Sequence, residues 1–318
     1  MKKLQFKLKQ LALFFFLLIN TTVFAQTDTL SFLHITDLHV IFNQKGYPPD
    51  MMENRKQKQY DQGENRLRQF LQTVPEKTGS DMVIATGDLV DFFEAETTES
   101  KMLDLQAEQF SRLLSDYHIP VFLTLGNHDI FTFNWQNNKL VHHSNFAGRS
   151  RAAWTRNLSC FKNGTYYSEI FEVGQTTYRL IFLDDSFYQF LPEDKVEIPY
   201  IDKSQLYWLN AQLHESEDDI EIILMHIPFK DTVNQRESSN ELFTVLSKNP
   251  STKLILAGHY HKNAITDFPS VEGRKMVQVQ TGALVQNTEN WRHIRITENQ
   301  IMISFPGKTE NELIIPVK

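Results

Sequence analysis

Five short polar clusters, each following an apolar, strand-like run, constrain this chain more than any other feature. They are Asp37-Leu38-His39, Gly87-Asp88-Leu89-Val90-Asp91, Gly126-Asn127-His128-Asp129, His226 and Gly258-His259-Tyr260-His261. The runs before them are Leu30 to Ile35, Met82 to Ala85, Val121 to Leu125, Ile220 to Met225 and Leu254 to Leu256. In open α/β sheets, ligand-binding groups gather beyond the carboxyl ends of the strands. Strand ends that repeatedly deliver Asp, His and Asn therefore point to one shared pocket. Carboxylates, an amide oxygen and imidazoles together suit Mn, Fe or Zn rather than Ca or Mg, and there are enough of them for two ions. Asp37 and His39 occupy alternate positions, so a strand continued through them would turn both side chains to one side.

Helical stripes separate the early runs. Leu67, Phe70, Leu71 and Val74 form one, and Leu103, Ala107, Phe110, Leu114 and Tyr117 another. Leu206, Leu209 and Leu213 mark a helix after Asp202, and Ser238-Ser239-Asn240-Glu241 reads as a capping box before Leu242, Phe243 and Leu246. The unbroken apolar run Met82 to Ala85 suits a strand buried on both faces. Later segments, Lys275 to Gln280, Trp291 to Thr297, Ile301 to Phe305 and Leu313 to Val317, read as a β meander. The fold class expected is α/β, with two mixed sheets packed face to face and helices outside. Two stretches, Ile41 to Gln62 and Ile130 to Gly164, show no clear pattern and read as long loops beside the site.

The first residues form a separate unit. Lys2, Lys3, Lys7 and Lys9 precede the apolar run Leu11 to Leu18, and Val23-Phe24-Ala25 offers a cleavage site. The run is shorter than the roughly 20 residues of a membrane-spanning helix. We read residues 1–25 as a cleaved export signal and 26–318 as one catalytic domain that is periplasmic or extracellular, with no stable membrane anchor. Removing 1–25 takes away four lysines and no acid, which moves the formal charge from −7 to −11. So acidic a chain argues against bulk nucleic-acid binding. Cys160 is the only cysteine, so no disulfide forms within the chain.

The five blocks, in this order, resemble the calcineurin-like metallophosphoesterase superfamily, whose pattern is D-x-H, G-D-x-x-D, G-N-H-D/E, a lone H and G-H-x-H. The resemblance spans His34 to His261. It implies a four-layer αββα sandwich with a dinuclear site at the strand ends. It further implies one divalent or mixed-valence transition metal ion on Asp37, His39, Asp88 and His261, and a second on Asp88, Asn127, His226 and His259, with Asp88 as the bridge. A metal-bound hydroxide would then attack phosphorus in line. His128 would face the phosphate, Asp129 would orient His128, and Asp91 would support the ligands. Taken singly, each block has an ordinary structural explanation; seven ligand-type residues in the family's order do not. His34, His118, His142, His143, His214 and His293 match no block and read as structural or surface residues.

Departures from subfamilies narrow the expectation. Purple acid phosphatases carry a tyrosine ligand three residues after the bridging Asp, where this chain has Asp91, and they lack the first-block histidine that is present here as His39. Protein Ser/Thr phosphatases carry Arg-Gly after the second block, where this chain has Phe92 and Phe93. Tyr166-Tyr167-Ser168, Leu180 to Asp184 and Trp208-Leu209 are similar to exported acid-phosphatase-like and cyclic-nucleotide-phosphodiesterase-like members. The implied substrate is a small phosphodiester or nucleotide, with a phosphomonoester as the alternative and a non-catalytic metal-binding scaffold as the alternative of another class. Phe131, Phe133, Trp135, Trp154 and Phe161, interspersed with Arg149, Arg151 and Arg156, either stack a base and hold a phosphate or pack their loop onto the sheet.

Overall fold

Each of the five apolar runs forms a strand in the computed structural model, which describes residues 28–317 apart from 192–195, 217 and 230–236. The amino-terminal half carries β1 (Thr29–Ile35), α1 (Pro49–Gln57), α2 (Gly63–Thr78), β2 (Met82–Thr86), β3 (Glu94–Ala95), α3 (Gln106–Ser115), β4 (Val121–Thr124), β5 (Thr132–Gln136), β6 (Lys139–His143) and α4 (Ala147–Asn157). After it come β7 (Tyr167–Val173), β8 (Thr176–Phe182), β9 (Phe187–Leu191), β10 (Val196–Tyr200), α5 (Lys203–Glu215), β11 (Ile220–Leu224), α6 (Glu237–Ser247) and β12 (Thr252–Ala257). The chain ends with β13 (Ala264–Pro269), β14 (Lys275–Gln280), β15 (Arg292–Thr297), β16 (Gln300–Ser304) and β17 (Asn311–Pro316).

One six-stranded sheet runs β17-β16-β15-β1-β2-β4, parallel through β1, β2 and β4 and antiparallel from β15 outward. The other runs β13-β14-β12-β11-β8-β7, parallel from β14 to β8 with an antiparallel strand at each edge. Side-chain alternation then sorts the core into layers. Phe32 and Ile84 of the first sheet meet Leu180, Phe182, Ile222 and Leu254 of the second. Leu33, Val83 and Ala85 point the other way, to Leu67 and Phe70 of α2, Phe110 of α3 and Trp154 of α4. On the far side Ile223 and Ile255 pack under Leu206 and Leu209 of α5 and Leu242 and Leu246 of α6. The result is a four-layer αββα sandwich of two mixed sheets, and both sets of parallel strands bring carboxyl ends to the site.

Several local expectations change. Strand β14 is not part of a meander: it lies parallel to β12 in the second sheet, and only β15, β16 and β17 form the meander. Its residues Met276 to Gln280 are all buried, as befits a strand flanked on both sides. Leu103 and Tyr117 fall outside α3. Helix α6 begins at Glu237, so Ser238 to Glu241 lies within its first turns rather than ahead of it. Neither patternless stretch is a bare loop, since 41–62 contains α1 and 130–164 contains β5, β6 and α4. Helix α1 escapes a hydrophobicity reading because the residues it buries are Met51 and a charged one, Arg55. Residues 1–25, the expected export signal, lie outside the described residues. Among the described residues, no helix is long and apolar enough to cross a membrane.

Three buried glutamines fix the connections beyond the strands. The side-chain amide of Gln106 accepts the Phe42 N–H at 3.0 Å and donates to the Phe42 carbonyl at 3.2 Å. Gln205 does the same for Asp184 at 2.8 and 2.7 Å, and Gln278 for Phe229 at 2.8 and 3.0 Å. Each amide satisfies both backbone groups of one residue, as a neighbouring strand would.

Glu221, at the amino end of β11 and therefore away from the site, is buried and accepts bonds from Ser216 Oγ at 2.7 Å and Asn249 Nδ2 at 2.9 Å. Burial pushes its carboxyl up to about 7. The folded chain thus keeps a proton that the unfolded chain releases near pH 4.5, so this group makes stability fall as pH rises from there to about 7. Glu221→Gln removes the buried charge and keeps both partners, its amide oxygen accepting from Asn249 Nδ2 and its NH2 donating to Ser216 Oγ. Urea denaturation should show the variant about 1–3 kcal/mol more stable than the parent at pH 8 and level with it at pH 4.5. An equal difference at both pH values contradicts this.

Candidate metal centre

The first ligand-type block does not continue its strand. β1 stops at Ile35, and Asp37 and His39 have φ of 52° and 41°; Asp88, His259 and His261 are likewise left-handed at 49°, 71° and 54°. Such φ values are uncommon for residues with a side chain and cost on the order of 1 kcal/mol or more each. Backbone pairing between loops holds them there. Asp37 N–H donates to the Gly87 carbonyl at 3.1 Å, and the N–H groups of Leu38 and His39 both donate to the Asp88 carbonyl, at 2.8 and 2.9 Å. Asp37 and His39 therefore converge through a left-handed turn, not through strand alternation.

Two groups of side chains that share Asp88 result, beside a third made of His39, Asp91 and His128. One contains Asp37, His39, Asp88 and His261, the other Asp88, His226 and His259, each with ligand atoms within 4.8 Å of one another. In the first, His39 Nε2 lies 3.2 Å from His261 Nε2, and His261 Nε2 lies 3.2 Å from Asp37 Oδ1. In the second, His226 Nε2 lies 3.3 Å from both His259 Nδ1 and Asp88 Oδ2. Two nitrogens bound to one ion at about 2.1 Å and 90–110° apart stand about 3.0–3.4 Å from each other, which the observed pairs match. Asp88 belongs to both groups. Its Oδ1 accepts the His128 N–H at 2.9 Å, which also brings the Asn127 loop alongside.

The hydrogen bonds leave specific oxygens free for a cation. Asp37 Oδ2 accepts from Thr36 Oγ1 at 2.9 Å and from the His259 N–H at 3.0 Å, whereas buried Asp37 Oδ1 and Asn127 Oδ1 have no hydrogen-bond partner. An unpartnered buried oxygen is costly unless something positive faces it. His226 is oriented by its Nδ1, 2.8 Å from the Thr86 carbonyl, which leaves Nε2 to carry the lone pair. Burial lowers His39 and His259 to about 4, so both are neutral imidazoles, the form that binds metal. Burial works against a charge on His226 too, yet the carboxylates of Asp88, Asp37 and Asp185 raise it to about 10, a field that calls for positive charge at this place. These residues fit a pair of metal ions.

Space matters as much as charge. A Cβ on Gly126 would lie 2.3 Å from Asp88 Oδ1, and one on Gly258 would lie 1.9 Å from Thr36 Oγ1 and 2.5 Å from Asp37 Oδ2. Only Gly87 of the three block glycines has a left-handed φ, 80°.

The structure redistributes the supporting roles. Asp129 does not orient His128: its two carboxylate oxygens take the Val90 N–H at 2.9 Å and the Gly126 N–H at 2.7 Å, tying two loops together. Burial, then the nearby charge of Asp88, push its carboxyl up to about 7. His128 is held by Asp91 instead, with Nδ1 2.5 Å from the Asp91 carbonyl and 3.5 Å from its carboxylate. Asp91 also stands 3.3 Å from His39 Nδ1 and 2.5 Å from Arg55 Nη2. Asp185, which the sequence reading did not single out, accepts the N–H groups of His226 at 3.1 Å and Ile227 at 2.6 Å. Its signal was present, since Asp184-Asp185 follows an apolar run as the other blocks do.

The aromatic stretch after the third block packs inward. Phe131, Phe133, Trp154 and Phe161 are buried, and Trp154 Nε1 donates to the Asp129 carbonyl at 2.8 Å. Arg151 pairs with Asp184 at 2.7 and 3.0 Å, and Arg149 with Glu94 at 2.8 Å. Packing and ion pairing, not base stacking, account for Phe131, Phe133, Trp154, Phe161, Arg149 and Arg151, whereas Trp135 is only partly buried. His34 is structural as expected: it is buried, with its ring nitrogens 2.8 Å from Thr281 Oγ1 and from Thr86 Oγ1.

No curated protein matches the chain. Among solved structures it is similar to GAP50, "the anchor in the inner membrane complex" of Plasmodium, at 13% identity over 92% of this chain and 89% of that one, with a TM-score of 0.51. It is also similar to the NAD nucleotidase NadN of Haemophilus influenzae, at 13% identity over 91% of this chain and 49% of that one, TM-score 0.48. The calcineurin-like phosphoesterase YfkN from Bacillus subtilis aligns at 14% identity over 91% and 89%, TM-score 0.42. This chain spans about half the length of NadN, and the likeness to GAP50, at 13% identity, is one of fold. A family model described as calcineurin-like phosphoesterase matches residues 30–263, which includes all five blocks. The chain belongs to the calcineurin-like phosphoesterase family.

Proposed function

We propose that this chain is an exported, two-metal phosphoester hydrolase acting on a small phosphodiester or nucleotide. One ion would be held by Asp37, His39, Asp88 and His261, the other by Asp88, Asn127, His226 and His259. The observation that carries this reading is the position of Asp88 in both ligand groups, with unpartnered oxygens on Asp37 and Asn127 beside it. Ligand chemistry favours Mn, Fe or Zn. When bound, such a pair activates water and stabilises the attacking and leaving oxygens at phosphorus.

The chain's own residues supply the rest. His128 has Nδ1 occupied by the Asp91 carbonyl, so Nε2 is the ring nitrogen left for substrate, and the side chain is 21% exposed where its neighbour His39 is fully buried. Burial opposes a charge on His128, but Asp88 and Asp91 raise its pKa above the ordinary histidine value. In that state it can donate a proton to the leaving oxygen or a hydrogen bond to a phosphoryl oxygen. The presence of His39 supports diester cleavage, because family members that keep this histidine often cleave diesters. The formal charge of −11 after loss of residues 1–25 supports a small substrate over a nucleic acid.

Hydrolysis of bis-p-nitrophenyl phosphate and p-nitrophenyl phosphate with added Mn²⁺ tests the reading. We expect turnover of both with a higher kcat/KM for the diester, at least a roughly 10³-fold loss in Asp88→Asn, and a loss of about 10²–10⁴-fold in kcat for His128→Ala. Activity unchanged by both substitutions would sink the assignment, and a clear preference for the monoester would replace the diester with the monoester reading. For export, amino-terminal sequencing of the protein from a culture of its source should begin at Gln26; protein kept in the cytoplasm with its first 25 residues contradicts export.

A further inference from the structure

The segment between β1 and α2, which has no hydrophobic pattern in the sequence, returns to the metal centre and closes on one histidine. The ring of Tyr60 stacks on the imidazole of His39, with centroids 4.1 Å apart and planes 8° from parallel. The guanidinium of Arg55 lies 4.6 Å from the centroid of the same tyrosine ring. Arg55 Nη2 in turn bonds Asp91 Oδ1 at 2.5 Å, and that oxygen lies 3.3 Å from His39 Nδ1. The four side chains form a closed circuit, and all four are buried. Behind it, a Cβ on Gly63 would lie 2.6 Å from the carbonyl oxygens of both Leu38 and His39, so the start of α2 is pressed directly against the His39 turn.

Each contact removes one freedom of the imidazole. The Asp91 carboxylate, 3.3 Å from Nδ1 but outside hydrogen-bond geometry, favours a proton on that nitrogen by its charge and so the lone pair on Nε2, and the stacked phenol ring fixes the plane in which that lone pair lies. A buried guanidinium is costly to place without a charged partner; here it compensates Asp91, which would otherwise be an uncovered carboxylate facing two histidines. The other ligand group has no such circuit on His226, whose Nδ1 meets the neutral Thr86 carbonyl at 2.8 Å. The two halves of the centre are therefore braced by different means.

We propose that Arg55 and Tyr60 are positioning residues for His39, and that they set the affinity of the ion held by Asp37, His39 and His261 without touching it. This rests on the two-metal reading above. The test uses the chain from Gln26 to its end, stripped with a chelator and titrated with Mn²⁺, free ion being followed by electron paramagnetic resonance, alongside melting of the metal-free protein. The parent should bind two Mn²⁺ ions per chain. Tyr60→Leu and Arg55→Met should weaken one of them by about 10–100-fold and leave the other unchanged, while Tyr60→Phe, which keeps the ring, should bind as the parent does. The loss should not follow the melting temperature of the metal-free variants. The proposal is overturned if Tyr60→Leu binds both ions as the parent does, if both ions weaken together, or if Tyr60→Phe is as impaired as Tyr60→Leu. A parent chain that fails to bind two ions contradicts the two-metal reading itself, and this proposal with it.

Discussion

Most of this structure answers to one buried carboxylate. Asp88 sits at the end of β2 with a left-handed backbone, one oxygen bonded to the His128 N–H and the other facing His39 at 3.7 Å and His226 at 3.3 Å. A buried anion surrounded by imidazoles is tenable only where positive charge is shared among them. The loops are arranged to keep that crowding in place: Gly126 has no side chain because Asp88 fills the space, and the turn after β1 is pinned to the Asp88 carbonyl by two N–H groups. Both sheets contribute, since Asp37 and Asp88 come from one and His226 and His259 from the other. The four-layer packing is thus what brings the two ligand groups to a shared carboxylate.

A second tier of buried polar contacts keeps the loops from relaxing. Asp129 ties the β2 and β4 loops, Asp185 caps the backbone at His226, and Gln106, Gln205 and Gln278 act as strand substitutes where the sheets have ended. None of these groups faces the metal positions as a ligand atom. They resemble the supports that hold ligands in register in metal sites generally, where loosening the outer contacts weakens binding.

The convergence of the strand-end residues was legible in the sequence because it needs only apolar runs followed by Asp, His or Asn. The layers were legible for the same reason, since buried parallel strands read as unbroken apolar stretches. What escaped was polar burial. Helix α1 hides Arg55 in the interior, so a reading that puts charge outside sees a loop. The exchange of roles between Asp91 and Asp129 was equally invisible, because the two residues belong to different blocks and only the folded turn decides which one meets His128. β14 was misassigned for a topological reason: strand spacing does not say which of two sheets a strand joins.

The claim that Asp88 joins two ions into one centre is tested most directly by anomalous diffraction from crystals grown with Mn²⁺. Two anomalous peaks about 3.5–4 Å apart are expected, with Asp88 ligating both, Asp37, His39 and His261 on one side and Asn127, His226 and His259 on the other. A single peak, or two peaks that do not share Asp88, would contradict it.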